Sequence, residues 1–167
     1  MAQLQSGWSL TTLTEAVQVD SFSCGRIEID DWFHSQALRF HTAGSAVVHV
    51  CLDADGNVSG FFTLTSHYLR KSNLPKSSDL SGSNIPVALL GRLGVSSSKQ
   101  HCGLGTWLVE QAKQLALNVS KISATRFLYV QAKDDALVGW YARQGFRSLP
   151  SDRKKMIYDL RMSLRCA

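Results

Sequence analysis

The residues most suited to chemistry form a short glycine-rich segment at 100–105, with the sequence QHCGLG. An apolar run ends just before it at Val95 and apolar residues at helical spacing follow it, so the pattern predicts a strand, a glycine turn and a helix. The first amides of a helix lack intrahelical partners and lie at the positive end of its dipole, while glycines let an anion approach the backbone. The segment therefore predicts a binding site for a phosphate or pyrophosphate.

Two better-known phosphate motifs do not fit this segment. A Walker loop requires Gly-Lys followed by Ser or Thr, whereas Gly105 is followed by Thr106 and Trp107. A dinucleotide fingerprint requires a third glycine and an acid on the next strand, whereas Leu108 stands at the third position and residues 126–132 hold no acid. A nucleoside triphosphate kinase and a Rossmann enzyme are disfavoured, and an ordinary strand-to-helix turn stays the alternative.

A second candidate group is the phenol of Tyr141. A phenol with a pKa near ~10 stays protonated at neutral pH and can donate a proton to a leaving group. The alternative is that Tyr141 forms an apolar wall beside Trp140 and Phe146.

Hydrophobic periodicity and turn residues predict the elements that must position these groups. In chain order they are a helix over 31–42, a β-hairpin over 46–52 and 58–65, a mobile surface loop over 70–84, a strand over 86–95, a helix from Leu104, a strand over 126–132, a short helix through Trp140 and Tyr141, and a final strand over 156–164. Asp30 or Asp31 is expected to cap the first helix, and Asp134 or Asp135 the short one, which Gly145 ends.

Length and composition fit one compact domain. The chain has 167 residues, 44% hydrophobic and 19% charged, and we expect a single domain over residues 1–167. No run approaches the roughly 18 apolar residues of a membrane span, and residues 1–5 lack the blocks of a signal peptide, so we expect a cytoplasmic protein. The four cysteines and five histidines lack metal-ligand spacing, which favours reduced thiols and no metal.

Charge is distributed unevenly along the chain. The first 60 residues hold two basic and seven acidic side chains, whereas residues 61–167 hold sixteen and six, a difference of +10. The C-terminal two thirds of the chain therefore suits an anionic partner.

The order of the predicted elements, with a Q-x-x-G-x-G turn between the long strand and the long helix, resembles the GNAT superfamily of acetyl-CoA-dependent N-acetyltransferases. The resemblance implies an α/β fold, the GNAT fold, with a central mixed, mostly antiparallel sheet flanked by helices. It implies that the turn holds the coenzyme pyrophosphate on backbone amides and that the strand end offers an N–H to the thioester carbonyl. The residues that it assigns to acetyl-CoA are Leu93, Gly94, Val95, Gln100, His101, Cys102, Gly103, Leu104, Gly105 and Thr106.

Four separated segments are similar to the GNAT toxins of bacterial toxin-antitoxin modules. They are FxCG at 22–25 with DW at 31–32, GFFTL at 60–64, LLGRLGV at 89–95 and WYARQGF at 140–146. The resemblance implies an enzyme that acetylates the α-amino group of an amino acid charged on tRNA and so blocks translation. It also implies a homodimer held inactive by a small DNA-binding antitoxin, with Tyr141 as the acid that protonates the departing CoA thiolate.

The residues of the long strand bear on the choice of acceptor. Residues 86–95 contain no carboxylate and no histidine, so the glutamate base of many acetyltransferases is missing from this strand. An α-amino group has a pKa near ~7.7 to 8.0, against ~10.4 for lysine, and needs less help from a base. The missing glutamate thus favours an α-amino acceptor over a lysine side chain.

Basic side chains near these elements are candidates for contacts with tRNA phosphates, with solvated surface positions as the alternative. They are Arg70, Lys71, Lys76, Arg92 and Lys99.

Two other functions stay open. One is a free-standing GNAT acetyltransferase of a small amine or a protein N-terminus, and the other is a non-catalytic acyl-CoA-binding module.

Overall fold

The structure is a computed structural model that describes residues 7–77 and 79–165. The expectations for residues 1–5 and for the thiol of Cys166 lie outside the described residues. Within the described part, no helix has both the length and the apolar character that a bilayer crossing requires. The three cysteines there are free thiols.

The described residues form seven strands and five α-helices. The strands are β1 (Ser9–Thr12), β2 (Val47–Leu52), β3 (Val58–Arg70), β4 (Asn84–Val95), β5 (Phe127–Gln131), β6 (Arg147–Leu149) and β7 (Asp152–Asp159). The helices are α1 (Ile27–Ser35), α2 (Ala37–Thr42), α3 (Leu104–Ser120), α4 (Asp135–Ala142) and α5 (Leu160–Arg165). Short 3-10 turns occur at Lys71–Asn73 and Ser97–Lys99.

The strands belong to one sheet, in the order β1-β2-β3-β4-β5-β7-β6. The pairs β1-β2, β2-β3, β5-β7 and β6-β7 are antiparallel, whereas β4 and β5 are parallel. The β2-β3 hairpin predicted from the residues and the mixed, mostly antiparallel α/β fold implied by the resemblance are therefore confirmed. The hairpin strand β3 continues to Arg70, beyond the predicted end at residue 65.

The chain forms two compact units, one of Met1–Thr65 with Gly91–Ala112 and one of Ser66–Leu90 with Lys113–Ala167. In the first unit, rings from three segments build an aromatic core. The ring centroids of Phe33 and Phe61 lie 4.2 Å apart, and Phe22 packs edge-on against both at 5.1 and 5.5 Å. Burial of these large rings stabilises α1 against β3.

In the second unit, the segment predicted as a mobile surface loop contributes to the core. Its side chains Leu74 and Leu80 are buried together with Ile85, Val87 and Phe127. Residues 70–84 therefore carry their own apolar contacts with the sheet, although most of their other side chains are exposed.

The predicted helix over 31–42 is wrong in its start and its continuity. Helix α1 begins at Ile27, with Arg26 as its N-cap residue and no side-chain cap. Asp30 lies inside α1, where its carboxylate accepts hydrogen bonds from Ser23 Oγ at 3.0 Å and the Cys24 amide at 2.8 Å. The chain leaves helical geometry at Gln36, where φ is −121°, before α2 begins.

The predicted final strand over 156–164 is correct only as far as Asp159. From Leu160 the chain forms α5, and the Asp159 carboxylate accepts a hydrogen bond from the Arg161 amide at 3.0 Å, as an N-cap residue does. The alternating apolar residues also include positions four apart, so the same pattern suits a helix that an aspartate starts.

Candidate functional site

The end of β4 is the first part of the coenzyme site that the resemblance implies. A Cβ atom at Gly94 would lie 2.9 Å from Phe61 Cε1, closer than real Cβ atoms approach another atom, and in a tight contact of 3.3 Å with Phe22 Cζ. Gly94 is therefore a glycine because the aromatic core packs directly on the β4 backbone. The group that comes close to this glycine is a ring of the protein itself.

The turn after β4 is anchored to neighbouring backbone by its own amides and by the side chain of Gln100. The Ser96 amide donates to Ser59 O at 2.8 Å and the Ser97 amide to Ser23 O at 2.9 Å. Gln100 Nε2 donates to Val95 O at 3.1 Å and to Cys24 O at 2.8 Å. The glutamine of the Q-x-x-G-x-G segment thus uses its side-chain amide to hold the turn against the strand end, while the backbone beyond it stays at the surface.

The glycine turn itself has left-handed backbone geometry at two positions. His101 has φ of +62° and Gly103 has φ of +87°. A Cβ atom at Gly103 would meet no atom within 4 Å, so the space beside this residue is open. Glycine is required here by the backbone conformation, and the open space beside Gly103 is where an anion could approach the backbone.

Helix α3 begins directly at this open face. Its first intrahelical bond runs from the Trp107 amide to Gly103 O at 3.0 Å, so the amides of Leu104, Gly105 and Thr106 precede the helical ladder. Residues 101–103 and Thr106 are exposed. Leu104 is buried and Gly105 half-buried, so the solvent-facing part of the turn lies at the positive end of a 17-residue helix, an arrangement that suits a pyrophosphate.

Arg92, predicted to contact tRNA, lies on β4 and is partly buried. Its guanidinium carbon lies 4.1 Å from the centroid of the Trp32 ring, and burial lowers its pKa. Its amide donates to Thr63 Oγ1 at 3.0 Å. The aromatic platform under Arg92 was not predicted, although a tryptophan and an arginine within the matching segments were visible in the sequence.

Three other predicted tRNA contacts come together in the second unit. Arg70, Lys71 and Lys76 line a concave surface formed by the 70–84 segment, which encloses a volume of about 1110 Å³. Lys71 Nζ donates to Leu80 O at 2.7 Å, so this ammonium also holds the segment in place. Lys99 belongs to the first unit, in the 3-10 turn before the glycine turn.

Tyr141, the predicted proton donor, lies on α4 in the second unit and is 8% exposed. Helix α4 begins at the N-cap residue Asp134, whose carboxylate accepts from the Leu137 amide at 2.8 Å, as expected. It ends in a Schellman motif, in which Gly145 N–H bonds to Ala142 O and Phe146 N–H bonds to Tyr141 O. The predicted stop at Gly145, with φ of +91°, is confirmed.

A buried lysine beside α4 was missed in the sequence. Lys113 is 6% exposed, and its Nζ donates to Gln144 O at 2.7 Å. It lies between Val109 and Leu117 at spacings of four residues on α3, so a charged residue in an apolar helical stripe was the available signal. Within the described residues, no cluster of His, Cys, Asp and Glu has the geometry of a metal site.

Comparisons with known proteins agree with this arrangement of elements. Residues 11–146 match the acetyltransferase (GNAT) family. The chain is 30% identical over 149 residues to a tRNA-acetylating toxin of Mycobacterium tuberculosis (strain ATCC 25618 / H37Rv), a match that covers 88% of this chain and 89% of that protein.

Two solved structures share the fold. AtaT complexed with acetyl-methionyl-tRNAfMet has a TM-score of 0.89 at 22% identity, covering 96% of this chain and 99% of that chain. A tyrosine-to-phenylalanine mutant of the AtaT toxin, bound to the C-terminus of the antitoxin AtaR and acetyl-CoA, has a TM-score of 0.80 at 20% identity. That match covers 93% of this chain and 95% of the mutant's chain.

Proposed function

This chain belongs to the GNAT family of acetyltransferases, and from that premise we propose that it is a toxin that acetylates the α-amino group of aminoacyl-tRNA and so blocks translation. The observation that carries the proposal is the 30% identity, over most of both chains, with a tRNA-acetylating toxin. We further propose that residues 1–167 act as one GNAT domain, in the cytoplasm where charged tRNA is found.

The coenzyme site that we propose is the strand end and glycine turn over 93–95 and 100–106. Its support is the open left-handed turn at Gly103 and the orphan amides at the start of α3. These amides would hold the pyrophosphate of acetyl-CoA, and Gln100 would keep the turn in register with β4. The Val95 amide would donate to the thioester carbonyl as negative charge develops on its oxygen.

The acceptor amine requires little activation from the chain. Strand β4 has no carboxylate or histidine from residue 86 to residue 95, and an α-amino group is partly neutral at cellular pH. An aminoacyl ester withdraws electrons from its amine, which makes the neutral form more accessible. Tyr141 would then donate its phenolic proton to the CoA thiolate as the C–S bond breaks.

The proposed contacts with tRNA phosphates are made by five basic residues. They are Arg70, Lys71, Lys76, Arg92 and Lys99. Three of them line one concave surface, and Arg92 is held over an aromatic ring, so their charges are positioned by the fold. The proposed partners are aminoacyl-tRNA, a second copy of the chain and a small DNA-binding antitoxin. A solved toxin of the same fold, bound to the C-terminus of the antitoxin AtaR, supports the last of these.

The experiment that tests this function incubates the purified chain with labelled acetyl-CoA and total tRNA, either charged with amino acids or deacylated. We expect label on charged tRNA only. Transfer to a small amine or a protein N-terminus, with charged tRNA unlabelled, would support a free-standing acetyltransferase. Calorimetric binding of acetyl-CoA with no acceptor labelled would support an acyl-CoA-binding module, and either result would reject the toxin.

A further inference from the structure

Lys113 is a buried ammonium group in contact with the last turn of the helix that carries Tyr141. Its Nζ lies 2.7 Å from Gln144 O, a carbonyl of the Schellman turn at the end of α4. Carbonyls at a helix end have no intrahelical donor, and a buried one without a partner is costly. Lys113 therefore supplies a hydrogen bond to this turn from outside the helix.

The same turn begins at Tyr141. The Tyr141 carbonyl accepts bonds from the Gln144 amide at 2.9 Å and the Phe146 amide at 3.2 Å, and its ring packs edge-on against Phe146 at 5.3 Å. Backbone and ring of Tyr141 are thus both fixed by the residues that follow it. A shift of the turn would move the phenol with it.

Aromatic side chains hold Lys113 in place against the turn. Its Nζ lies 4.2 Å from the centroid of the Tyr158 ring and 5.8 Å from that of Phe146. Tyr158 also packs on Gly145, where a Cβ atom would lie 3.2 Å from Tyr158 Cε2. The lysine, the two rings and the glycine form one packed cluster around the end of α4.

We propose that Lys113 is a positioning residue for Tyr141, acting through the Schellman turn at 141–146. The proposal rests on the proposed role of Tyr141 as proton donor. Lys113 acts by fixing the Gln144 carbonyl and the aromatic cluster, so its loss displaces the phenol and leaves the glycine turn of the coenzyme site unchanged. Misplacement by about 1 Å costs about 100-fold in rate.

The test compares Lys113→Met with Lys121→Met, which removes an exposed charge just after the same helix. Acetylation of charged tRNA is measured for both, alone and combined with Tyr141→Phe. We expect Lys113→Met to lower kcat about 10- to 100-fold with the KM for acetyl-CoA unchanged. In the Tyr141→Phe background Lys113→Met should lower kcat less than threefold, because both substitutions impair the same proton donation by Tyr141. Lys121→Met should behave as wild type.

The proposal is wrong if Lys113→Met leaves kcat unchanged, or if its loss is as large in the Tyr141→Phe background as in wild type. If Lys113→Met does not fold, Gly145→Ala replaces it, because this substitution perturbs the same turn through strain at a positive φ. Gly145→Ala must then lower kcat in wild type and lower it much less in the Tyr141→Phe background. If the wild-type chain is inactive on charged tRNA, the proposed function itself is rejected. If the wild type is active but the losses of kcat from Lys113→Met and Tyr141→Phe are additive, only the role of Lys113 is rejected.

Discussion

Gly94 and Gly103 both lie in the predicted coenzyme site, and each has a separate physical requirement for glycine. At Gly94, Phe61 packs within 2.9 Å of where a Cβ atom would stand, so the requirement is space. At Gly103 there is open space and a φ of +87°, so the requirement is backbone conformation. Sequence reasoning located both glycines near the site, but only the folded structure separates the packing glycine from the one that opens a face to an anion.

Gly103→Ala is expected to weaken acetyl-CoA binding about 5- to 30-fold. An alanine in the left-handed region destabilises the open conformation of the turn by about 1–2 kcal/mol, so that binding becomes weaker by this free energy. Titration calorimetry measures this change. Gly56→Ala is the matched control, since Gly56 has φ of +82° and open space in the β2-β3 hairpin. It should lose similar stability with an unchanged Kd, and equal Kd values for both variants would contradict the assignment.

Tyr141→Phe is expected to lower kcat by about 10²- to 10⁴-fold while the KM for acetyl-CoA stays the same. Phenylalanine keeps the ring that packs against Phe146 and removes the proton donor. Steady-state kinetics on charged tRNA measure both constants. Trp140→Phe changes the neighbouring ring on the same helix and serves as control. A Tyr141→Phe enzyme with full kcat would remove Tyr141 from the reaction.

At the level of elements, the boundary residues of α4 show what local sequence chemistry predicts well. Asp134 or Asp135 was expected to start this helix and Gly145 to end it, and the structure has Asp134 and Gly145 in these positions with cap hydrogen bonds. The same rule failed at α1, because Asp30 bonds backward to residues 23 and 24 from inside the helix. An aspartate beside an apolar stripe marks a helix start only when its own backbone is extended, and the sequence alone does not settle that geometry.

Asp134→Ala is expected to destabilise the fold by about 1 kcal/mol, through loss of the N-cap bond to Leu137. For a chain of this size, that corresponds to a fall in Tm of about 2–4 °C. Thermal unfolding followed by circular dichroism measures it. Asp135→Ala is the control, because Asp135 makes an ion pair with Arg153 in which both side chains are exposed. Loss of this exposed ion pair should destabilise the fold less than loss of the cap bond. A larger effect at residue 135 would contradict the cap assignment.

For the whole molecule, glycine turns and apolar periods are local signals that predicted the order of elements, and the resemblance of that order to the GNAT superfamily implied the fold. Long-range ion pairs carry no such signal. Arg126 Nε and Nη2 donate to the Asp159 carboxylate at 3.1 Å, and Arg126 Nη2 also donates to Asp79 at 3.0 Å. Residue 126 therefore joins β7 to the 70–84 segment, a contact between residues far apart in the chain that the sequence does not reveal.

This cluster predicts loss of stability in acid. Burial alone would raise the pKa of Asp159, but hydrogen bonds from Arg126 and the Arg161 amide outweigh it and hold the pKa below its usual value. Ser77 and Arg126 likewise lower the pKa of Asp79. Because both folded pKa values lie below the ordinary ~3.9, their contribution is present above about pH 5 and is lost as pH falls through the folded values.

Arg126→Met is therefore expected to lower the free energy of unfolding by about 1–3 kcal/mol at pH 7, and by progressively less as pH falls below the ordinary carboxyl pKa and through the lower folded values. Urea unfolding at several pH values measures the difference. Arg153→Met, which removes an exposed ion pair, is the control and should cost less than about 1 kcal/mol at every pH. A difference between Arg126→Met and wild type that does not shrink in acid would contradict the account.

The central claim is that the acetyl group passes from acetyl-CoA to the α-nitrogen of a tRNA-linked amino acid. The most direct measurement is mass spectrometry of the amino acids released by mild base from charged tRNA after incubation with the enzyme and acetyl-CoA. We expect Nα-acetyl amino acids from wild type and almost none from Tyr141→Phe. Unmodified amino acids throughout, or acetyl groups on the nucleotides of the tRNA, would contradict it.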